Sequence, residues 1–153
     1  MADQKLSELT ELAAAPATDD EIYIRDVSEA AASESKRITI ANLKTTIIEH
    51  HTASDTLTKY ETGSMHTNLG AGAAILLNLP QDALAGTRFE FAIMTAQQLR
   101  IDPGAAGSIY INGAKQADDA YIVADDEAES VILTADGNGD WIASSVVGTW
   151  TVV

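Results

Sequence analysis

Glu129-Ser130-Val131-Ile132-Leu133-Thr134, then Asp136-Gly137-Asn138-Gly139, then Asp140-Trp141-Ile142-Ala143: this stretch decides the fold. Both flanks alternate apolar and polar side chains, the period of a strand with one face in a core. The glycine-bearing turn between them is a short-range signature of a β-hairpin. Toward the C terminus, Thr149-Trp150-Thr151-Val152-Val153 alternates again. Toward the N terminus come Ala120 to Val123, Ser108 to Ile111 before Asn112-Gly113, Gln98 to Ile101 stopped by Asp102-Pro103-Gly104, and Thr87 to Met94. Ala73 to Leu79 precedes them and ends at Pro80, which cannot donate into a ladder. Short strands at regular intervals, with turn signals between them, predict a mainly β domain over residues 65–153. The expected architecture is a compact antiparallel β-sandwich or barrel-like domain. The sequence carries no internal repeat of fixed period.

Residues 1–64 read differently, and Gly63 and Ser64 interrupt the pattern at an expected boundary between Thr62 and Met65. Leu6, Leu9 and Leu12 recur every third residue in Lys5 to Leu12. That spacing fits either a turn or two of helix or an extended arm carrying apolar anchors. Pro16 and Thr18-Asp19-Asp20 end it. Glu21 to Val27 alternates, with Ile22 and Ile24 on one face and Tyr23, Arg25 and Val27 on the other. After a polar loop, Lys36-Arg37-Ile38-Thr39-Ile40 alternates too, so the two runs predict a hairpin. Ala41-Asn42-Leu43 opens a predicted short helix, Asn42 to His50, with Leu43, Ile47 and either His50 or His51 on one side.

The chain has 153 residues, room for one ordinary domain or an anchoring segment plus a smaller domain. Its 46% hydrophobic and 21% charged content fits a folded protein, yet only 5% is aromatic. Small side chains bury little area each, so a solitary core would be thin and association of subunits would thicken it. The composition therefore points to an oligomer. A formal net charge of −14 with only nine Lys and Arg excludes the clustered cations that nucleic acid or an anionic membrane requires. That acidity reads as solubility rather than as a fit to a basic partner. The lack of cysteine excludes disulfides, thiolate metal sites and cysteine nucleophiles. No secretory leader or membrane-length apolar run is evident, so synthesis in the cytoplasm is expected.

Two stretches resemble a known class of proteins. Lys5-Leu6-Ser7-Glu8-Leu9, Asp20 to Val27 and Ser35-Lys36-Arg37-Ile38-Thr39-Ile40-Ala41-Asn42-Leu43 together resemble a leader found on many tailed-bacteriophage virion proteins. Its pattern is a K-(L/I)-S-x-L start, a D-x-x-x-(I/V)-x-D-V strand and an S-(K/R)-x-I-T-x-x-x-L strand. It recurs on tail fibres, head fibres and decoration proteins, and implies attachment to the particle. The later segments Thr67-Asn68, Gly70, Gly72, Leu77-Asn78-Leu79-Pro80, Gly86 to Phe91, Ala96 to Pro103, Asp136 to Trp141 and Gly148 to Thr151 are similar to the small β domain that follows such leaders. The resemblance implies a virion structural protein on the outer surface of the particle, assembled as a homotrimer. A receptor-reading fibre continues past such a domain, whereas this sequence stops at Val153, so the expectation is a capsid decoration protein or short head fibre.

Residues that could carry chemistry have plainer readings. His50, His51 and His66 could ligate a metal only if brought together with suitable partners, and on a threefold axis one histidine would become three. Adjacent histidines on a helix diverge by about 100°, and no partner to orient them is evident, so packed or solvated histidines are the stronger reading. Asp136-Gly137-Asn138-Gly139-Asp140 alternates oxygens as calcium loops do, but its glycines suit a tight turn and no downstream Glu completes a loop. Asp118-Asp119 and Asp125-Asp126-Glu127 read as solvated loop ends, since acid and base carboxylates must face each other across a cleft. Gly70-Ala71-Gly72-Ala73 lacks a phosphate-loop lysine, and no Gly-x-Ser-x-Gly elbow occurs. Tyr110, Tyr121, Trp141 and Trp150 could form a sugar-stacking platform, but in a β domain this poor in aromatics all four read first as the largest pieces of the core, Trp141 and Trp150 lying in alternating strands.

The sequence thus predicts a non-enzymatic assembly protein with no cofactor and no bound metal. Leu6, Leu9, Leu12, Ile22, Tyr23, Ile24, Ile38, Ile40 and Leu43 are the expected attachment residues, meeting the major capsid protein or another virion protein. The β domain is expected to pair with copies of itself. The rival reading is a tail fibre or tail adaptor whose β domain binds a host surface glycan or receptor.

Overall fold

A computed structural model of the chain describes strands Glu21–Arg25 and Ser35–Thr39 and all of residues 46–153. The chain divides into two compact units, Met1–Thr45 and Thr46–Val153. In the first, β1 (Glu21–Arg25) pairs antiparallel with β2 (Ser35–Thr39), with Ile22 opposite Ile38 and Tyr23 opposite Arg37. This is the hairpin that the two alternating runs predict. The Leu6–Leu12 arm lies outside the described residues.

The second unit contains β3 (Ile48–His50), β4 (Asp55–Thr56), β5 (Met65–Thr67), β6 (Ile75–Asn78), β7 (Arg88–Ala92), β8 (Leu99–Asp102) and β9 (Ile109–Ile111). It continues with β10 (Ala114–Lys115), β11 (Ile122–Ala124), β12 (Ser130–Ala135), β13 (Trp141–Val147) and β14 (Thr151–Val152). These form a seven-stranded sheet in the order β10-β9-β13-β12-β7-β5-β3 and a five-stranded sheet in the order β14-β11-β8-β6-β4. The mainly β class predicted from alternation is what the chain adopts.

The sheets are mixed rather than purely antiparallel, and chain order explains why. From β3 to β9 each strand lies in the opposite sheet from the one before it. Strands two apart in sequence then return to the same sheet running in the same direction. So β3 pairs parallel with β5, β5 with β7, β4 with β6 and β6 with β8. Turn residues such as Pro80 and Gly86 turn the chain from one sheet to the other, not back along the same sheet. Direct hairpins occur at β12–β13, around Asp136 to Asp140, and at β9–β10, around Asn112-Gly113. Asn112 and Gly113 both take positive φ, the conformation a two-residue hairpin turn demands.

Two further expectations are corrected. The predicted helix over Asn42 to His50 is replaced at its C-terminal end by β3. Thr45-Thr46-Ile47-Ile48 is a run of β-branched residues that fits an extended, half-buried strand better than a helix. The compact unit also begins at Thr46, upstream of the 62–65 boundary, because β3 hydrogen-bonds to β5 across that segment.

Apolar residues of both sheets share one core. Phe89, Phe91, Val131, Leu133, Trp141, Ile109 and Ile111 come from the larger sheet, and Ile75, Leu77, Leu99, Ile101 and Ile122 from the smaller. Phe89 stacks on Trp141 at a centroid distance of 5.7 Å and meets Phe91 edge-on at 6.3 Å. Trp150 is buried as well and donates its indole N–H to the Ser130 carbonyl at 3.1 Å. Both tryptophans thus serve as interior wedges, which removes them from any sugar-stacking surface, whereas Tyr110, expected in the core, is exposed because it alternates outward between the buried Ile109 and Ile111.

Candidate functional site

Of the expected attachment residues, Ile22, Tyr23 and Ile24 lie in β1 and Ile38 in β2. Leu6, Leu9, Leu12, Ile40 and Leu43 fall outside the described residues. Among the described residues no third strand joins this pair.

The outer face of the seven-stranded sheet offers a second surface. Registers align Ile48, Met65, Glu90 and Ile132 across four strands, and Arg88, Thr134, Ile142 and Tyr110 across four. Val147 pairs with Ser130 on the same face. Ile48 is 55% exposed, Ile142 46% and Val147 52%, with Tyr110 also exposed. Arg88 and Glu90 form the charged break in this apolar field, 4.0 Å apart.

A cluster of titratable side chains sits at the β3 edge of the same sheet. The parallel register puts Glu49 beside His66. His51, just past β3, donates its backbone N–H to the Thr67 carbonyl at 2.8 Å, and this holds its ring over His66. His51 Nε2 and His66 Nδ1 are 3.0 Å apart. His66 is wholly buried, stacked on Phe91 at 5.7 Å and edge-on to Phe89 at 5.4 Å. Its Nε2 lies 2.7 Å from Ser64 Oγ, and Ser64 in turn donates to the Glu61 carbonyl. The Ser64 proton being committed to Glu61, the hydroxyl accepts from His66 Nε2–H, and the Nδ1 lone pair points at His51. Burial, and secondarily the neighbouring His51 ring, lower the His66 pKa to about 4, so the ring is neutral near pH 7. Two carboxylates reach the pair: Asp55 Oδ2 is 3.5 Å from His51 Nδ1 and Glu49 Oε2 is 3.8 Å from His66 Nδ1. His50 points to the other face and contacts Thr67 Oγ1 at 2.7 Å.

The sequence shows the three histidines but not which two meet. That follows from the β3–β5 register, and the orienting groups come from the segment just before β5 (Ser64) and from β4 (Asp55). The adjacent pair His50 and His51 does diverge, as expected, though on a strand and its continuation rather than a helix.

A second acidic group, Asp125, Asp126 and Glu129, borders a cleft of about 410 Å³ also lined by Gln98, Thr149 and Thr151. Glu129 is buried, and its two oxygens are already occupied. Oε2 accepts the backbone N–H groups of Asp125 and Asp126, at 3.3 and 3.1 Å, and Oε1 accepts that of Thr149. Three backbone N–H groups take up most of the accepting capacity of this carboxylate, which fastens two loops together. Asp136 plays a similar local part: its Oδ1 accepts the N–H groups of Asn138 and Asp140, which closes the turn. These hydrogen bonds, led by the one from Asn138, hold its pKa below the usual carboxylate value.

No family model matches the sequence, and no curated protein matches it.

Proposed function

We propose that this chain is a structural protein of a tailed-bacteriophage particle, a capsid decoration protein or short head fibre. Its N-terminal segment docks on the major capsid protein or another virion protein, through Leu6, Leu9, Leu12, Leu43 and the β1–β2 hairpin. The β unit assembles as a homotrimer and faces outward. The observation that carries the reading is the apolar outer face of the seven-stranded sheet, where Ile48, Tyr110, Ile142 and Val147 stand exposed on a chain whose other chemistry is acidic and polar. Several large apolar side chains exposed on one sheet face, on both sides of the Arg88 and Glu90 break, suit a place of association. The resemblance of the N-terminal motifs to phage attachment leaders supplies the particle as the setting.

Light scattering on the isolated chain tests the assembly, with a trimer expected. Ile142→Asp combined with Val147→Asp places two buried charges in the proposed contact and should yield monomers with an unchanged β circular dichroism spectrum. Deleting residues 2–20 should abolish incorporation into particles while leaving the oligomer intact. A monomeric wild-type chain, or full incorporation of the deletion, refutes the proposal.

A further inference from the structure

We propose that Glu49, His51 and His66 form a zinc site that clamps the edge strand β3 to β5. The ligand atoms of the three residues lie within 4.8 Å of one another. In a tetrahedral site with bonds of about 2.0–2.1 Å, neighbouring ligand atoms stand roughly 3.3 Å apart. His51 Nε2 and His66 Nδ1 at 3.0 Å, and Glu49 Oε2 and His66 Nδ1 at 3.8 Å, bracket that edge length. Two imidazoles and one carboxylate are a donor set suited to zinc, and they leave a fourth position for water or another ligand.

The orienting contacts are those a bound metal uses. His66 Nε2–H is held by Ser64, which is itself held by Glu61, so the Nδ1 lone pair faces inward whether or not an ion is bound. His51 has acceptors at both ring nitrogens, His66 Nδ1 at one side and Asp55 Oδ2 at the other. A neutral imidazole has one N–H for these two acceptors. A metal ion at Nε2 removes the conflict, because the ring then carries its proton on Nδ1 toward Asp55. The rearrangement is a change of tautomer within His51, with no proton released and no strand moved. Both rings are at least nine-tenths buried, His51 at 5% exposure and His66 at zero, and Glu49 at the rim leaves a way in for the ion.

The purified, untagged full-length chain, stripped with EDTA and dialysed, is titrated with zinc chloride by calorimetry, and bound metal is counted by mass spectrometry. One zinc per chain is expected. At zinc a hundredfold above its Kd the melting temperature should rise by on the order of 10 °C. Glu49→Gln, at the half-exposed rim, and His51→Gln should each weaken binding at least 100-fold, whereas His50→Ala should leave it unchanged. No uptake by the wild type, uptake undiminished in both ligand variants, or loss of uptake in His50→Ala overturns the proposal. Should either ligand variant lose its β spectrum, cobalt added to the wild-type chain decides: intense visible bands of a tetrahedral ion support the site, and their lack overturns it.

Discussion

Replacing Glu129 with glutamine tests whether one buried carboxylate joins the β11–β12 loop to the turn before β14. Glutamine keeps the shape and one carbonyl oxygen, but it turns an NH2 group toward backbone N–H donors on one side. If the oxygen stays with Thr149, the N–H groups of Asp125 and Asp126 lose their acceptor; if it flips, Thr149 does. Hydrogen bonds to a charged group contribute about 1.5–3 kcal/mol each. The cleft beside Glu129 lets water replace part of that, so the low end applies and a loss of about 2 kcal/mol is expected for Glu129→Gln. Glu129→Ala removes the acceptor of all three N–H groups and the packing of the stem against Gly148, and about 4 kcal/mol is expected after water replaces part of the loss. Urea unfolding followed by tryptophan fluorescence is the assay, because Trp150 bonds to Ser130, the residue next to Glu129. Added calcium should leave the wild-type midpoint where it is. A loss below about 0.5 kcal/mol for glutamine, or a calcium-dependent midpoint that the variant abolishes, refutes the account of this carboxylate as a loop fastener.

Three more outcomes follow from the same geometry. In the metal-free chain His66 has its pKa lowered from 6.5 to about 4, so the unfolded state takes up its proton first on acidification. Stability is whole above pH 6.5 and falls toward pH 4 by roughly 3 kcal/mol at 1.36 kcal/mol per pH unit; urea midpoints in EDTA that stay level over that range would falsify this. Gly137 has φ +87° and an added Cβ would sit 2.9 Å from Ala85, so Gly137→Ala should cost about 2 kcal/mol or more, read as a lowered melting temperature. Phe89→Ala removes the ring wedged between His66 and Trp141 and should cost about 3–5 kcal/mol, with near-ultraviolet circular dichroism of the tryptophan region collapsing in parallel.

Strands with a strong alternating pattern are readable from the sequence. Arg88–Ala92, Leu99–Asp102 and Ser130–Ala135 fall within one or two residues of the runs that predict them, and Asp136 to Asp140 makes the expected turn. Those signals are local, generated by side chains two apart on one strand. Met65-His66-Thr67 gives no such signal, since a histidine and a threonine fill buried positions there by bonding to Ser64 and His50 rather than by being apolar. Strand direction is not readable either, because a turn residue shows that the chain bends, not which sheet it bends toward. The histidine cluster shares that limit. Its members are 15 residues apart, and only the parallel register of β3 on β5 makes neighbours of them. The same holds for Glu129, whose donor from Thr149 lies on the far side of the β12–β13 hairpin.

The alternation of strands between the two sheets also sets the pace at which this unit can be made. Ile48 waits 17 residues for Met65, Met65 waits 25 for Glu90, and Ile109 waits 32 for Trp141. Each such closure gives up chain entropy before it gains a contact, which places the unit among slow folders, on the scale of milliseconds to seconds. On the ribosome β3, β4, β5 and β6 emerge with their ladders half built, and no core forms until β7 and β8 supply Phe89, Phe91, Leu99 and Ile101. The acidic surface then matters before folding is complete, because like-charge repulsion keeps unfinished chains apart while they wait for their second half.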